Sequence, residues 1–177
     1  VIQQLSTLPN ITMYLDAAHG GWIGFPNNLK NYSNIACDVL SNSGSLDKVR
    51  GFSTNVSNYQ PLGVDKYGSV KISTDYPCTD LIVGQNNNEI NYINSLYNEL
   101  NKSCKIKKDW KFITDTGRNG RPNVRKSSLN NCADWCNIKG GLGLKPSSDT
   151  QNDKIDAYFF FFLLGESDGC TKYQCLS

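Results

Sequence analysis

Four short runs of β-branched and aromatic residues, each followed by a polar loop, constrain the fold of this chain most strongly. The runs cover residues 11–16, 49–54, 111–115 and 157–163. Each has the length of a strand and is bounded by Gly, Asn or Asp. Between the second and third, residues 89–102 repeat apolar side chains at helical spacing, which predicts an amphipathic helix. Strands separated by helix-length crossovers predict an α/β fold with a mainly parallel sheet.

The composition argues against two classes of partner, nucleic acids and membranes. The chain has 177 residues, of which 18 are basic and 16 acidic, and 38% are hydrophobic. This length suits one domain with a substantial core, and the near-neutral charge predicts no nucleic-acid binding. The longest apolar run, residues 157–164, is far shorter than the roughly 20 needed to cross a bilayer, so no membrane partner is expected. No cleavable leader begins the chain, so any export signal is expected upstream of Val1.

Cysteines and glycosylation sequons together indicate secretion. There are seven cysteines, and Asn-x-Ser/Thr sequons begin at Asn10, Asn31, Asn55 and Asn101. An oxidising compartment suits this cysteine count, and the odd number leaves at least one thiol free or intermolecular. No metal is expected, because no pair of cysteines is two residues apart and His19 is the only histidine.

The loops after the strands predict the position of a polar site. Three strands run directly into glycine-rich loops that begin at Asp16, Asp115 and Gly165, and the fourth is followed by residues 54–59. Ligands of parallel α/β folds collect at the carboxyl ends of the strands. Turn chemistry alone explains any one such loop, since Asp, Asn and Gly favour turns for local reasons. Turn chemistry is a weaker explanation for all four loops together.

Five segments, taken in order, resemble a known enzyme family. They are MYLDAAHGGWIGFP at 13–26, RGFSTNVSNY at 50–59, FITDTGRNGRP at 112–122, DWCN at 134–137 and GESDG at 165–169. Their sequences and spacing resemble those of glycoside hydrolase family 6, the inverting cellulases. The resemblance implies a partial, distorted, seven-stranded TIM-like barrel with mainly parallel strands. It also implies that residues 1–177 form the carboxyl-side half of a single catalytic domain, with the general acid before Val1.

The family chemistry is hydrolysis of β-1,4-glucosidic bonds in cellulose or a related β-glucan, with inversion at the anomeric carbon. Inversion requires a protonated carboxyl and a carboxylate that activates water, about 6.5–9.5 Å apart. The resemblance assigns Asp168 as the base and Glu166 as a sugar contact. It implies a secreted enzyme that uses no metal or organic cofactor and is monomeric when complete. Without its general acid, this chain alone is expected to show little or no turnover.

Further residues match sugar-binding positions of the family. Trp22 and Trp135 match stacking positions, where a flat indole covers the C–H face of a pyranose. His19 and Asn58 match sugar contacts. Trp110 matches no family site and is expected to pack in the core.

The supporting residues and the cysteine pairing also follow from the resemblance. Asp16 is expected beside His19, while Asp115 and Arg118 either organise the catalytic carboxylates or form a plain ion pair. Asn55 is expected to support its loop. Cys136 resembles a family disulfide cysteine, with Cys175 as the first choice of partner and Cys170 as the second.

The chain departs from the family pattern at two positions. Phe162 stands where the family usually carries a lysine that reaches the substrate, and Phe25 stands where many relatives have a second tryptophan. Two other functions remain open on the sequence. One is a non-catalytic secreted carbohydrate-binding domain that uses Trp22 and Trp135 as a platform, and the other is a disulfide-rich secreted domain without a sugar site.

Overall fold

The computed structural model describes residues 1–56, 58–63, 86, 88–121 and 140–161. Four helices and four strands lie in these ranges, and no helix among them has the length and apolar character needed to cross a membrane. In chain order the elements are α1 (Ile2–Leu5), β1 (Tyr14–Asp16), α2 (Gly20–Ile23), α3 (Pro26–Asn42), β2 (Gly51–Thr54), α4 (Glu89–Ser103), β3 (Lys111–Asp115) and β4 (Ile155–Phe159).

The four described strands form one parallel sheet in the order β1-β2-β3-β4. Each strand therefore pairs with the next one along the chain, with α3 in the first crossover and α4 in the second. The two helices share a single hydrophobic core with the sheet. Parallel strands added in sequence, with their helices in one layer, are the arrangement of an α/β barrel wall. The predicted α/β fold with parallel strands is confirmed.

Gly51 permits the close contact between β2 and β3. The register places it opposite Lys111, and a Cβ atom at this position would lie 1.6 Å from the Lys111 carbonyl oxygen. Any other residue would separate the two strands, so this position requires glycine.

The predicted strands all exist, but the limits of three of them differ. β1 begins at Tyr14 rather than residue 11, because its pairing with β2 ends where the Arg50 amide donates to the Met13 carbonyl oxygen at 3.0 Å. β2 begins at Gly51 rather than residue 49. β4 begins at Ile155, two residues earlier than expected, because Ile155 pairs with Phe112 of β3, and it ends at Phe159 rather than at residue 163.

The sequence reasoning did not identify α3. Its signals were a proline in the first turn and small or apolar residues on one face, a pattern that serine and cysteine obscure. The buried residues of α3 are Leu29, Ser33, Ala36, Cys37 and Leu40. α4 agrees with the prediction to within one residue, and the Asn88 side chain caps it by accepting from the Asn91 amide at 2.9 Å.

The core lies between the sheet and the helices α3 and α4. Phe52 of β2 packs edge-on against Trp110, with ring centroids 5.3 Å apart, and both side chains are fully buried. Trp110 is therefore a core residue, as the sequence predicted. The apolar side of α4 closes the core with Ile93, Leu96 and Leu100.

A disulfide between Cys37 and Cys104 joins α3 to the end of α4. It closes a loop with a sequence separation of 67 residues. The predicted pairing of Cys136 with Cys175, or with Cys170, lies outside the described residues. A disulfide in the helical layer agrees with the oxidising compartment that the cysteine count indicated.

Candidate active site

The loop that follows β1, residues 16–24, presents a large aromatic side chain to solvent. Asp16 is exposed, and its Oδ1 accepts a hydrogen bond from the Ala18 amide at 2.6 Å. Ala18 has a φ of 50°, a left-handed conformation that only a few per cent of non-glycine residues adopt. The short helix α2 follows, and its Trp22 side chain is 61% exposed. The His19 ring lies beside the indole, with the two centroids 6.4 Å apart.

The beginning of α4 and Asn86, which precedes it, hold this loop in place. Three hydrogen bonds connect them: Tyr92 hydroxyl to Ala17 carbonyl at 2.6 Å, Gly20 amide to Glu89 Oε1 at 2.8 Å, and Asn86 Nδ2 to Gly24 carbonyl at 2.6 Å. Gly20 lies so close to α4 that a Cβ atom would be 2.9 Å from the Asn86 carbonyl oxygen and 3.0 Å from Tyr92 Cβ. The backbone that carries the exposed indole is therefore held by hydrogen bonds from Asn86, Glu89 and Tyr92.

The loop after β2 is organised by Asn55, which is fully buried and has a φ of 61°. Its Nδ2 donates to the carbonyls of Gln60 at 3.0 Å and Asp115 at 3.1 Å, and its Oδ1 accepts from the Gln60 amide at 3.1 Å. The expectation that Asn55 supports the loop is confirmed. Asn58 is half-buried on the same loop, and its Oδ1 accepts from the Tyr59 amide at 2.8 Å.

The loop after β3 carries the predicted Asp115 and Arg118. Asp115 is 1% exposed, and its Oδ1 accepts from the Gly117 amide at 2.8 Å. Arg118 Nη1 donates to the Tyr59 hydroxyl at 3.2 Å, and the guanidinium lies 5.2 Å from the centre of the Tyr59 ring. The arginine is therefore tied to the loop after β2.

These three loops adjoin one another at the carboxyl edge of the sheet. The Asn55 amide donates to the Ala18 carbonyl at 2.7 Å, which joins the first two loops, and Asn119 Nδ2 donates to the Gln60 carbonyl at 3.2 Å, which joins the second to the third. The loops place six predicted residues at this edge, namely Asp16, His19, Trp22, Asn58, Asp115 and Arg118. Trp135, Phe162, Glu166 and Asp168 lie outside the described residues.

Glu89 is a buried acid beneath the site that the sequence reasoning did not select. Burial raises its pKa to about 8, against the lowering effects of the Gly20 amide and the Thr54 hydroxyl. One signal was available, since Glu89 falls on the same side of α4 as Ile93, Leu96 and Leu100. An acid on an apolar helix face requires a local partner, and Gly20 supplies one.

The arrangement suits recognition of a neutral, hydroxyl-rich ligand. An exposed indole offers a flat apolar surface, while the neighbouring imidazole, amide and guanidinium groups are hydrogen-bonding groups of the kind that sugar hydroxyls use. The site combines a rigid backbone with few exposed apolar side chains, so its ligand is expected to have both an apolar face and a polar rim.

A parallel α/β wall with polar and aromatic loops at its carboxyl edge has the layout of an α/β-barrel enzyme, and comparison with known proteins specifies the family. The profile described as "Glycosyl hydrolases family 6" matches residues 1–176. The chain belongs to this family.

The most informative relatives are cellobiohydrolases. The chain is 38% identical over 164 residues to 1,4-beta-D-glucan cellobiohydrolase C of Emericella nidulans. The aligned region covers 92% of this chain and 32% of that protein. The catalytic core of cellobiohydrolase Cel6A from Chaetomium thermophilum superposes with a TM-score of 0.77 at 33% identity, covering 95% of this chain and 42% of that one.

A second solved structure carries sugars. Cellobiohydrolase II (Cel6A) from Humicola insolens, in complex with glucose and cellotetraose, superposes with a TM-score of 0.77 at 30% identity over 95% of this chain. The chain spans about a third of the length of the relative from Emericella nidulans and 42% of each of these two solved chains.

Proposed function

We propose that the protein is a β-1,4-glucanase that hydrolyses cellulose or a related β-glucan with inversion at the anomeric carbon. The observation that carries the proposal is the exposed Trp22 ring on a braced loop at the carboxyl edge of a family 6 sheet. An indole in this position can stack on the apolar face of a glucose unit while hydroxyls at the ring edge bond to neighbouring polar groups. The family assignment favours this enzyme over a non-catalytic carbohydrate-binding domain.

The proposed catalytic base is Asp168, in the segment GESDG, with Glu166 as a sugar contact and Trp135 as a second stacking residue. Trp22, His19 and Asn58 bind the glucan on the described side of the site. Asp16, Asp115 and Arg118 are proposed to support the loops, and the contact of Arg118 with Tyr59 is a supporting observation. An inverting reaction then needs a protonated carboxyl across the scissile bond from Asp168.

The chain is proposed to be the carboxyl-side portion of one family 6 catalytic domain. The partial coverage of the relatives supports this assignment, because nearly all of this chain matches less than half of each solved catalytic domain. The general acid would lie in the preceding portion. We further propose that the protein is secreted and acts as a monomer on glucan chains, for which the sequons at Asn10 and Asn31, both exposed, and the Cys37–Cys104 disulfide are supporting observations.

The test is the stereochemistry of hydrolysis by the full-length protein. Cellohexaose is digested in an NMR tube, and the first products are resolved as α or β anomers. Inversion of a β linkage gives the α anomer first, and Asp168→Ala is expected to reduce kcat at least a thousandfold. Asp153→Ala is the matched control, because this aspartate has a side chain that is 88% exposed and lies before β4.

Two results would contradict the proposal. The β anomer as first product would indicate a retaining enzyme, and unchanged turnover in Asp168→Ala would remove the proposed base. The assignment of the chain as a portion of the domain has its own test: the 177-residue chain alone is expected to give no turnover, and a rate equal to that of the full-length protein would overturn it.

A further inference from the structure

We propose that Glu89 is a positioning residue for glucan binding, because its carboxyl fixes, through Gly20, the loop that presents Trp22 to the substrate. This inference rests on the proposed function, since it assumes that Trp22 contacts the glucan. It assigns a role in the binding site to a residue of the crossover helix α4 that is fully buried.

Glu89 supplies the hydrogen bond to the residue that begins α2. Glu89 Oε1 accepts from the Gly20 amide at 2.8 Å, and Gly20 lies two residues before Trp22. Other contacts hold the residues on either side, namely Tyr92 to Ala17, the Asn55 amide to Ala18, Asn28 to the Trp22 carbonyl and Asn86 to Gly24. The contact from Glu89 is the one that α4 makes to the start of the short helix that carries Trp22.

The loop packs closely at Gly20. A Cβ atom there would lie 2.9 Å from the Asn86 carbonyl and 3.4 Å from Glu89 Oε1, so the backbone of the loop lies directly against the start of α4 and the residues before it. Removing the acceptor would leave a buried N–H group without a hydrogen bond, which favours movement of the loop toward water. Such a movement would carry the Trp22 ring with it.

Burial also affects the protonation of Glu89. It raises the pKa to about 8, opposed by the Gly20 amide and the Thr54 hydroxyl. On the same helix, burial and then the Glu89 charge raise the pKa of Tyr92 well above its usual value, with smaller effects from Tyr32 of α3 and Asp16 of β1. His19 precedes the same α2 backbone. Among the described residues no lysine or arginine contributes to the shift at Glu89.

A carboxylate at this position would lack a compensating charge. Glu89 Oε2 is buried, and the groups that favour the ionised form are the Gly20 amide and the Thr54 hydroxyl, neither of which carries a charge. The neutral acid accepts from Gly20 without placing a charge in the core. The ionised form accepts from the same amide at least as strongly, because that hydrogen bond lowers the pKa, so the loop is expected to stay fixed on both sides of pH 8.

The experiment uses three variants of the full-length protein. Glu89→Leu removes the acceptor, and Glu89→Gln keeps an oxygen acceptor of the same length but cannot ionise. Glu99→Gln is the matched control, because it removes a carboxylate from the same helix at a residue whose partner is Lys102 at the protein surface. The probe is cellotetraose, whose dissociation constant is measured between pH 6 and 9, and the second readout is the hydrogen-exchange protection factor of the Gly20 amide.

Glu89→Leu is expected to lower Gly20 protection and cellotetraose affinity about tenfold each at pH 6, and Glu89→Gln to recover most of both losses. Glu99→Gln should keep the wild-type protection and affinity at every pH. If Glu89→Leu cannot be folded, Glu89→Asp, whose shorter side chain withdraws the acceptor from Gly20, takes its place and should give the same losses.

Two outcomes would overturn the proposal: Glu89→Leu with wild-type protection and affinity, or Glu89→Gln with losses as large as those of Glu89→Leu. Failure of the proposed function is distinguishable from both. If the wild type binds no cellotetraose, Trp22 has no glucan to contact and the functional assignment is wrong. The Gly20 protection factors would still report whether Glu89 fixes the loop.

Discussion

The Tyr14 hydroxyl donates a 2.6 Å hydrogen bond to Asp156 Oδ2, although β2 and β3 lie between the strands that carry the two residues. In a flat sheet, three spacings of about 4.8 Å would place these strands about 14 Å apart. Arg50, directly before β2, reaches the same carboxylate with Nε at 2.7 Å and Nη2 at 2.9 Å. The sheet is therefore curled toward this face, as the wall of a barrel is.

A double-mutant cycle of Tyr14→Phe and Asp156→Ala should show coupling across the sheet. We expect an interaction energy of about 0.5–1.5 kcal/mol in urea unfolding, because each single change removes the same hydrogen bond. The partial exposure of Arg50 and Asp156, at 49% and 24% of their side chains, keeps the value small. Tyr32→Phe, which removes a hydroxyl bonded to the Asp16 carbonyl, should be additive with Asp156→Ala. Additivity in both cycles would mean that the curled geometry is wrong.

Two tryptophans should respond oppositely to replacement. Trp22→Ala is expected to weaken cellotetraose binding about tenfold, or ~1.4 kcal/mol, with the free energy of unfolding unchanged within about 0.5 kcal/mol, because the ring is exposed. Trp110→Ala is the control, since removal of this fully buried ring should cost about 3–5 kcal/mol of stability. Calorimetric titration and urea unfolding measure the two quantities. Equal affinity of Trp22→Ala and the wild type would contradict the assigned stacking role.

Stability should fall with increasing pH because of Glu89. Its pKa rises from 4.5 in the unfolded chain to about 8 in the folded protein, so between these values only the folded state retains the proton. The contribution is complete below pH 4.5 and is lost as pH rises through 8, with a slope of at most about 1.4 kcal/mol per pH unit. Urea unfolding at several pH values should show a flatter profile for Glu89→Gln than for the wild type. Glu99→Gln should keep the wild-type profile. Identical profiles for all three proteins would contradict the raised pKa of Glu89.

The sequon at Asn55 should stay unmodified when the protein is secreted from a glycosylating host. Its side chain is fully buried and makes three hydrogen bonds, so a glycan cannot be accommodated in the folded protein. Asn31, on α3, is exposed and serves as the matched acceptor site. Glycopeptide mass spectrometry should detect sugar at Asn31 and none at Asn55. A glycan on Asn55 in folded, soluble protein would contradict the loop structure described here.

The sequence predicted the strands and their loops well, because strand ends in parallel folds carry strong local signals. The run 111–115 ends at Asp115 in both the prediction and the structure. It did not predict α3, where Ser33 and Cys37 interrupt the apolar pattern but are buried, and Cys37 is bonded to Cys104. A buried disulfide makes cysteine behave as an apolar residue, and no local pattern reveals its partner.

The exposed part of the site was also easier to predict than its supports. Trp22 and His19 lie in a short glycine-rich segment, and this local motif is visible in the sequence. Glu89 acts on that segment from 69 residues away, through a contact that depends on the close approach of Gly20 to α4. Tertiary packing creates this contact, so the sequence alone does not predict it.

The most direct measurement of the central claim is an NMR titration of the full-length protein that follows the indole N–H signals of Trp22, Trp110 and Trp135. We expect cellotetraose to shift the Trp22 signal, and the α-linked maltotetraose to leave it in place. Trp110 should not respond to either sugar, because it is buried in the core. An unchanged Trp22 signal at saturating cellotetraose, or equal shifts with both sugars, would contradict a β-glucan site at this edge of the sheet.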